Sequence, residues 1–76
     1  MTNKIIKFIS EYQKMEIETI NVDTNFAKDI DMSSMDIMQM CCYIEDEFNI
    51  EISDEDVYGL RTVGDVVNYV EQKVMG

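Results

Sequence analysis

Ser34 stands at the predicted start of an acidic helix with an apolar stripe, within the segment FAKDIDMSSMDIM that spans residues 26–38. Catalysis by a serine nucleophile requires a neighbouring base. The 76-residue chain contains no histidine, and the nearby Lys28 is one of only six basic residues. This setting argues against catalysis by Ser34 and favours a serine to which a chemical group is attached.

The sixteen acidic residues raise the question of carboxylate and metal sites. A paired-carboxylate active site is not favoured, because so short a chain has little room for a cleft and solvated acidic faces are far more common. Asp29, Asp31 and Ser33 match the first three ligand positions of a calcium-binding loop. However, Ser34 and Met40 stand where that loop needs a glycine and a bidentate glutamate. We therefore expect neither an enzyme nor a dedicated metal site.

Charge and cysteine content limit the partners and the compartment. A formal net charge of −10 disfavours nucleic acid and anionic membranes and favours partners with basic patches, although an ordinary acidic domain fits the charge equally well. Cys41 and Cys42 are adjacent, so on a helix they would point about 100° apart and remain free thiols, as in a reducing cytoplasm. With no signal peptide and no membrane-spanning run, we expect a cytoplasmic protein without membrane insertion.

Composition and periodicity predict an all-α fold. Apolar residues make up 46% of the chain, proline is absent and helix-forming residues dominate. Ser/Thr-x-x-Asp capping boxes mark three helix starts, at residues 33–36, 53–56 and 62–65. The predicted helices cover about residues 2–15, 34–48, 54–58 and 63–73, and Gly59 should end the third of them in the C′ position. We expect residues 1–76 to form a single domain, a small four-helix bundle with three longer helices and one short helix.

The apolar residues of the second helix and of the connection before it predict which sides face the core. The inner stripe of the second helix is predicted to consist of Met35, Met38, Cys41, Ile44 and Phe48. The residues mostly outside this stripe are Asp36, Gln39, Tyr43, Asp46 and Glu47. The connection over residues 16–32 is long for so small a domain. We expect four apolar side chains to hold it against the core: Ile17, Ile20, Phe26 and Ile30.

Three segments of the chain resemble the acyl carrier protein family. They are NFAKDIDMSSMD at residues 25–36, IEDEFNIEISDED at 44–56 and TVGDVVNYV at 62–70. With the length, the acidity and the helix layout, the resemblance covers nearly the whole chain. It implies that Ser34 carries phosphopantetheine, attached from coenzyme A by a separate phosphopantetheinyl transferase. The terminal thiol of that arm would hold an acyl group as a thioester.

The sequence departs from the family pattern around this serine. Ser33 replaces the usual aspartate, Met35 replaces leucine and Asp31 stands where glycine is usual. The resemblance also implies that synthase enzymes with basic patches dock against the second helix, at Asp36, Gln39, Glu45 and Asp46. Ser33 and Gln39 remove two charges from that surface. An apolar seam between the second and third helices is expected to shelter the acyl chain, formed by Met38, Cys41, Ile44, Ile52, Val57 and Leu60.

The resemblance implies a free-standing, monomeric carrier and not an enzyme. Such a carrier would move thioester-bound intermediates of fatty-acid, polyketide or related synthesis between enzymes. Two alternatives remain open at this point. An amino-acid or peptidyl carrier has the same arm and bundle, although the strong acidity and the segment at residues 45–48 favour acyl cargo. An acidic interaction module that is never modified belongs to a different class.

Overall fold

Four α-helices make up the framework of residues 2–75, which are the residues that the computed structural model describes. They are α1 (Thr2–Gln13), α2 (Ser34–Phe48), α3 (Asp54–Val57) and α4 (Val63–Met75). A single 3₁₀ turn, Ile17–Thr19, lies in the connection between α1 and α2. The predicted all-α bundle with three longer helices and one short helix is confirmed. No helix in this part of the chain is long and apolar enough to cross a membrane.

Helix α1 ends two residues before the predicted boundary because the backbone turns left-handed at Lys14, where φ is 55°. The amide of Met15 then donates to the carbonyl of Ser10 at 3.0 Å, and the Ser10 hydroxyl donates to the carbonyl of Met15 at 2.7 Å. This closure is that of a Schellman motif. Helix α2 ends in the same way at Asn49, also with a φ of 55°, and here the residue type suits the left-handed conformation.

Two of the three predicted capping boxes are complete. At the start of α2, the Asp36 amide donates to Ser33 Oγ at 3.2 Å, and the Ser33 amide donates to Asp36 Oδ2 at 2.9 Å. At the start of α4, Thr62 and Asp65 exchange the equivalent bonds at 3.1 Å each. These reciprocal bonds satisfy amides that would otherwise lack a partner at a helix N-terminus, so they fix where α2 and α4 begin.

Helix α3 begins at the predicted residue, but its capping box is incomplete and its C-terminus differs from the prediction. Ser53 Oγ accepts from the Asp56 amide at 3.2 Å, but the Asp56 carboxylate does not complete the box and instead accepts from the Tyr69 hydroxyl at 2.6 Å. Gly59 does not take the left-handed C′ conformation, because no glycine within residues 2–75 has a positive φ and the cap residue Tyr58 is right-handed. This 4-residue helix has no fully buried residue; the partly buried Val57 packs it against the core and the Asp56–Tyr69 hydrogen bond links it to α4.

The buried face of α2 is rotated relative to the predicted stripe. Met40, Cys41 and Ile44 are buried, whereas Met35 is 72% exposed and Met38 is 46% exposed. The prediction that Met35 and Met38 face inward is therefore wrong. The sequence of α2 contains two apolar rows with the same helical spacing, and the row that packs against the core is Ile37, Met40, Cys41, Ile44 and Phe48. Helical periodicity alone cannot distinguish two such rows.

The long connection between α1 and α2 is anchored by three buried apolar side chains, Ile20, Phe26 and Met32, and by the buried Thr24. Ile30 packs against the core as a partly buried residue. The prediction for Ile17 is wrong, because that side chain lies in the 3₁₀ turn and is 44% exposed. The connection is therefore held against the core at several points along its length.

Backbone hydrogen bonds join this connection to the segment between α3 and α4. The Phe26 amide donates to the Arg61 carbonyl at 2.9 Å, and the Gly64 amide donates to the Val22 carbonyl at 2.8 Å. A side chain at position 64 would bring its Cβ to 3.0 Å from the Val22 carbonyl oxygen, which explains the glycine there. We call this pairing of residues 22–26 with residues 61–64 the backbone clasp. It includes the antiparallel bridge between Asn25 and Thr62.

Candidate attachment site

Ser34 is the first residue of α2 and is exposed to solvent. The preceding residue, Ser33, is the N-cap, with extended backbone angles (φ −79°, ψ 172°). The first amides of a helix have no intrahelical acceptor, and together with the helix dipole they favour a negatively charged group at this end. Ser34 therefore presents its hydroxyl at a position suited to a phosphate ester.

The two adjacent serines differ in what their hydroxyl oxygens do. Ser33 Oγ accepts the Asp36 amide and is part of the capping box. Ser34 Oγ makes no side-chain hydrogen bond within residues 2–75 and lines an open cleft. Modification of Ser33 would break a cap, whereas modification of Ser34 would disturb no hydrogen bond of the described structure.

Helix α1 supports the start of α2 through Tyr12. The Tyr12 hydroxyl donates to Asp36 Oδ1 at 3.0 Å, while the other oxygen of the same carboxylate accepts from the Ser33 amide. The pKa of Asp36 is lowered, first by the Ser33 amide and then by the Tyr12 hydroxyl, and the same bond raises the pKa of Tyr12. Phe8 connects Tyr12 to α2, because its ring stacks on those of Tyr12 and Tyr43 at centroid distances of 5.6 and 4.3 Å. Nothing in the sequence pattern indicated this contact.

The lowered pKa of Asp36 implies that part of the folding stability depends on pH. A carboxylate with a pKa below its unfolded value of about 3.9 stabilises the fold above that pH, and the contribution is lost as the pH falls through the folded-state pKa. We expect Asp36→Asn to lower the melting temperature at pH 7, and the difference from the parent protein to shrink below about pH 4. Thermal melts followed by circular dichroism across this range measure the effect.

Asp46→Asn is the matched control, because Asp46 lies on the same helix and is exposed. It should shift the melting temperature much less at pH 7. A gap between Asp36→Asn and the parent that stays constant down to pH 2.5 would contradict a role for the ionised Asp36 carboxylate.

A cleft of about 630 Å³ lies beside Ser34. Its walls come from the connection before α2, the first turns of α2, helix α3 and the segment that follows α3. The apolar lining consists of Phe26, Ala27, Ile37, Met38, Val57 and Leu60. The polar and amphipathic lining consists of Asn25, Lys28, Ser34, Asp54, Tyr58 and Arg61. An alkyl chain attached near Ser34 would find an apolar surface within reach.

The structure brings together only part of the predicted acyl seam. Three of its residues line the cleft with Ser34, namely Met38, Val57 and Leu60. Cys41 and Ile44 are instead buried in the bundle core, where burial raises the pKa of the Cys41 thiol to about 11. Ile52 is half-buried and is not among the residues that line the cleft. Phe26 was missed because one wall of the cleft comes from the connection before α2, and Ile37 was missed because it lies outside the predicted inner stripe of α2.

The four predicted docking residues fall into two groups. Gln39 and Asp46 are exposed on α2, as a docking surface requires. Asp36 and Glu45 are half-buried, so the expectation that they are freely exposed is wrong. Each carboxylate accepts a hydrogen bond from a backbone amide: Asp36 accepts from Ser33, and Glu45 Oε2 accepts from Ile52 at 2.8 Å.

Comparison with known proteins identifies the family. Residues 3–70 match the family model described as "Phosphopantetheine attachment site". The acyl carrier protein of Rickettsia bellii strain RML369-C is 38% identical over 69 residues, which cover 91% of this chain and 80% of that protein. The acyl carrier protein of Lactobacillus acidophilus is 36% identical over 69 residues, which cover 91% of this chain and 86% of that protein.

The fold agrees with these sequence relationships. A solved acyl carrier protein from Enterococcus faecalis, described for its high thermal stability, superposes with a TM-score of 0.83 at 33% sequence identity. The match covers 95% of this chain and 91% of the other. Since the family model, the relatives and the solved structure all agree over most of its length, this chain belongs to the acyl carrier proteins, the family that bears phosphopantetheine.

Proposed function

We propose that Ser34 is the residue of this acyl carrier protein that bears phosphopantetheine, through a phosphodiester bond to its Oγ. The observation that carries the proposal is the difference between the two serines at the start of α2. Ser33 Oγ is engaged in the cap at 3.2 Å from the Asp36 amide, while Ser34 is exposed and faces the cleft. Of the two hydroxyls, only that of Ser34 can be esterified without loss of the capping box.

The surroundings of Ser34 fit such an arm. The first-turn amides of α2 and the positive end of its dipole stabilise a phosphodiester on the first helical residue. Tyr12 and Ser33 hold the Asp36 carboxylate, and through it the beginning of the helix, in one position. When bound, the arm supplies a thiol that carries the acyl group as a thioester. The protein itself contributes position and shelter, and no residue near Ser34 acts as a base.

The family places this carrier typically in fatty-acid synthesis, and the amino-acid or peptidyl carrier is not favoured by the comparisons. The apolar half of the cleft supports cargo with an alkyl portion. We infer that Ile37, Met38 and Val57, the lining residues with accessible apolar surface, contact that portion when the arm folds back. We also propose that the chain forms a single carrier domain that works as a monomer in the cytoplasm. Its use in polyketide synthesis is proposed as well.

Partner enzymes are proposed to approach the exposed outer side of α2. Gln39 and Asp46 are exposed there, and Met35 and Met38 add exposed apolar area close to Ser34. The net charge of −10 favours partners with basic patches. Such electrostatic attraction mainly accelerates association and is screened beyond about 8 Å at physiological ionic strength.

The proposal is tested with the purified chain, coenzyme A and a broad-specificity phosphopantetheinyl transferase. Intact-mass spectrometry should show a gain of one phosphopantetheinyl group, and the initial rate should fall as salt is raised. Asp46→Lys should slow the reaction more than Glu71→Lys, a control with the same charge change at an exposed position on α4. Absence of any mass gain would overturn the proposal and leave the unmodified interaction module.

A further inference from the structure

The six basic residues of this acidic protein are not distributed evenly with respect to the cleft. Lys4 pairs with Glu47 at 3.0 Å on the outer surface, and Lys73 lies over the Tyr69 ring. Lys28 and Arg61 instead both line the cleft beside Ser34. Within residues 2–75, neither forms an ion pair, despite the large excess of carboxylates. Two cations therefore line the same cleft as Ser34.

The backbone clasp and the turn beside it order the main chain at these two basic residues. Arg61 belongs to it directly, since its carbonyl accepts the Phe26 amide at 2.9 Å. The Lys28 amide donates to Asn25 Oδ1 at 2.9 Å, and Asn25 forms the antiparallel bridge with Thr62. Arg61 thus projects from the backbone clasp itself, and Lys28 projects from the adjoining turn that the Asn25 side chain holds. Little backbone ordering remains to be lost when an anion binds between them.

Both residues are exposed while they line the cleft, which places them at its rim, above the apolar lining. Asp54 is the one acidic residue of the lining, so the two cations outnumber it. An amphipathic guest fits this arrangement, with carbon atoms against Ile37, Met38 and Val57 and an anionic end at the rim. The guanidinium of Arg61 can bind a carboxylate through two parallel hydrogen bonds, while Lys28 adds a point charge.

Building on Ser34 as the attachment residue, we propose that Lys28 and Arg61 form a carboxylate-binding rim that favours acyl cargo with a terminal carboxylate. The general field of this protein repels an anion, so a carboxylated chain would otherwise be driven out of the cleft. The two rim cations reverse that repulsion locally. A dicarboxylic acyl group is then retained better than a monocarboxylic group with the same number of carbons.

The test compares hexanoyl and adipyl cargo, which have equal carbon number and differ in the terminal carboxylate. A broad-specificity phosphopantetheinyl transferase loads each from its coenzyme A thioester onto the parent chain and onto the double variant Lys28→Gln/Arg61→Gln. The readout is the rate at which hydroxylamine cleaves the thioester, compared between parent and variant for the same cargo. This ratio cancels the intrinsic reactivity of each thioester.

Adipyl cargo should react up to about fivefold more slowly on the parent than on the double variant, the range expected for partly exposed ion pairs. Hexanoyl cargo should react at nearly equal rates on both. The adipyl difference should shrink at high salt, and Arg61→Lys should retain part of it. Lys7→Gln/Lys14→Asn, which removes two charges outside the cleft, should behave like the parent.

Two results would overturn the carboxylate-binding rim. Equal adipyl rates on parent and double variant would show that the cations do not hold the cargo. Equal slowing of both cargoes on the parent would assign Lys28 and Arg61 to the phosphodiester of the arm. Failure of the transferase to load any chain, seen by intact mass, would instead contradict the assignment of Ser34, so the two proposals fail in different ways.

Discussion

Ser34→Ala is expected to abolish attachment of phosphopantetheine completely, whereas Ser33→Ala should retain it. Ser34 offers an exposed hydroxyl at the first helical position, and alanine is well tolerated there, so the fold should keep its stability. Ser33→Ala removes the acceptor of the Asp36 amide and should cost about 0.5–2 kcal/mol. Intact-mass spectrometry after the transferase reaction and thermal melts on both variants measure the two effects.

Together, Ser34→Ala and Ser33→Ala distinguish loss of the attachment residue from loss of helix stability. A mass gain that persists in Ser34→Ala would disprove the assignment. Loss of the gain in Ser33→Ala, with helical circular dichroism unchanged at the assay temperature, would move the attachment to the capping serine.

Met40→Ala is expected to destabilise the protein by about 2–5 kcal/mol, while Met35→Ala should change stability by no more than about 0.5 kcal/mol. Both residues are methionines on α2, but Met40 is 0% exposed and Met35 is 72% exposed. Truncation of Met40 removes apolar burial and leaves a cavity, whereas Met35 contributes little to either. Urea denaturation gives both free energies, and a loss in melting temperature on the order of 10 °C or more should accompany Met40→Ala.

This comparison also tests the rotation of α2. If Met35→Ala were the more damaging change, the inner face would be the one that the sequence pattern predicted. Roughly equal losses would mean that both apolar rows are packed, which would contradict the exposed position of Met35 beside Ser34.

The parts of the fold that were predicted correctly depend on local chemistry. The range of α2 follows from a capping box at Ser33 and a left-handed cap at Asn49, and both signals lie within a few residues of the boundary. The rotation of α2 was not predictable in the same way. It depends on which apolar row meets α1 and α4, and tertiary packing decides between two rows that are locally equivalent.

The candidate site also has one part that local sequence predicts and another that depends on tertiary packing. The position of Ser34 at a helix start follows from neighbouring residues. The cleft does not, because Phe26 and Arg61 are distant in sequence and meet only through a main-chain hydrogen bond. The link from Tyr12 to Asp36 likewise joins residues 24 positions apart, and no spacing rule for single helices contains it.

The backbone clasp also has a consequence for how this cleft could diversify. Its hydrogen bonds use main-chain atoms, so the shape of the wall does not depend on the identity of most side chains that it displays. Gly64 and Asn25 are exceptions: a Cβ at position 64 would lie 3.0 Å from the Val22 carbonyl oxygen, and the Asn25 side chain accepts the Ala27 and Lys28 amides. Substitutions at the exposed Lys28 or Arg61 would therefore change the charge of the cleft lining while these main-chain hydrogen bonds persist. Selection for a new acyl group could act on these two positions without first having to rebuild the fold.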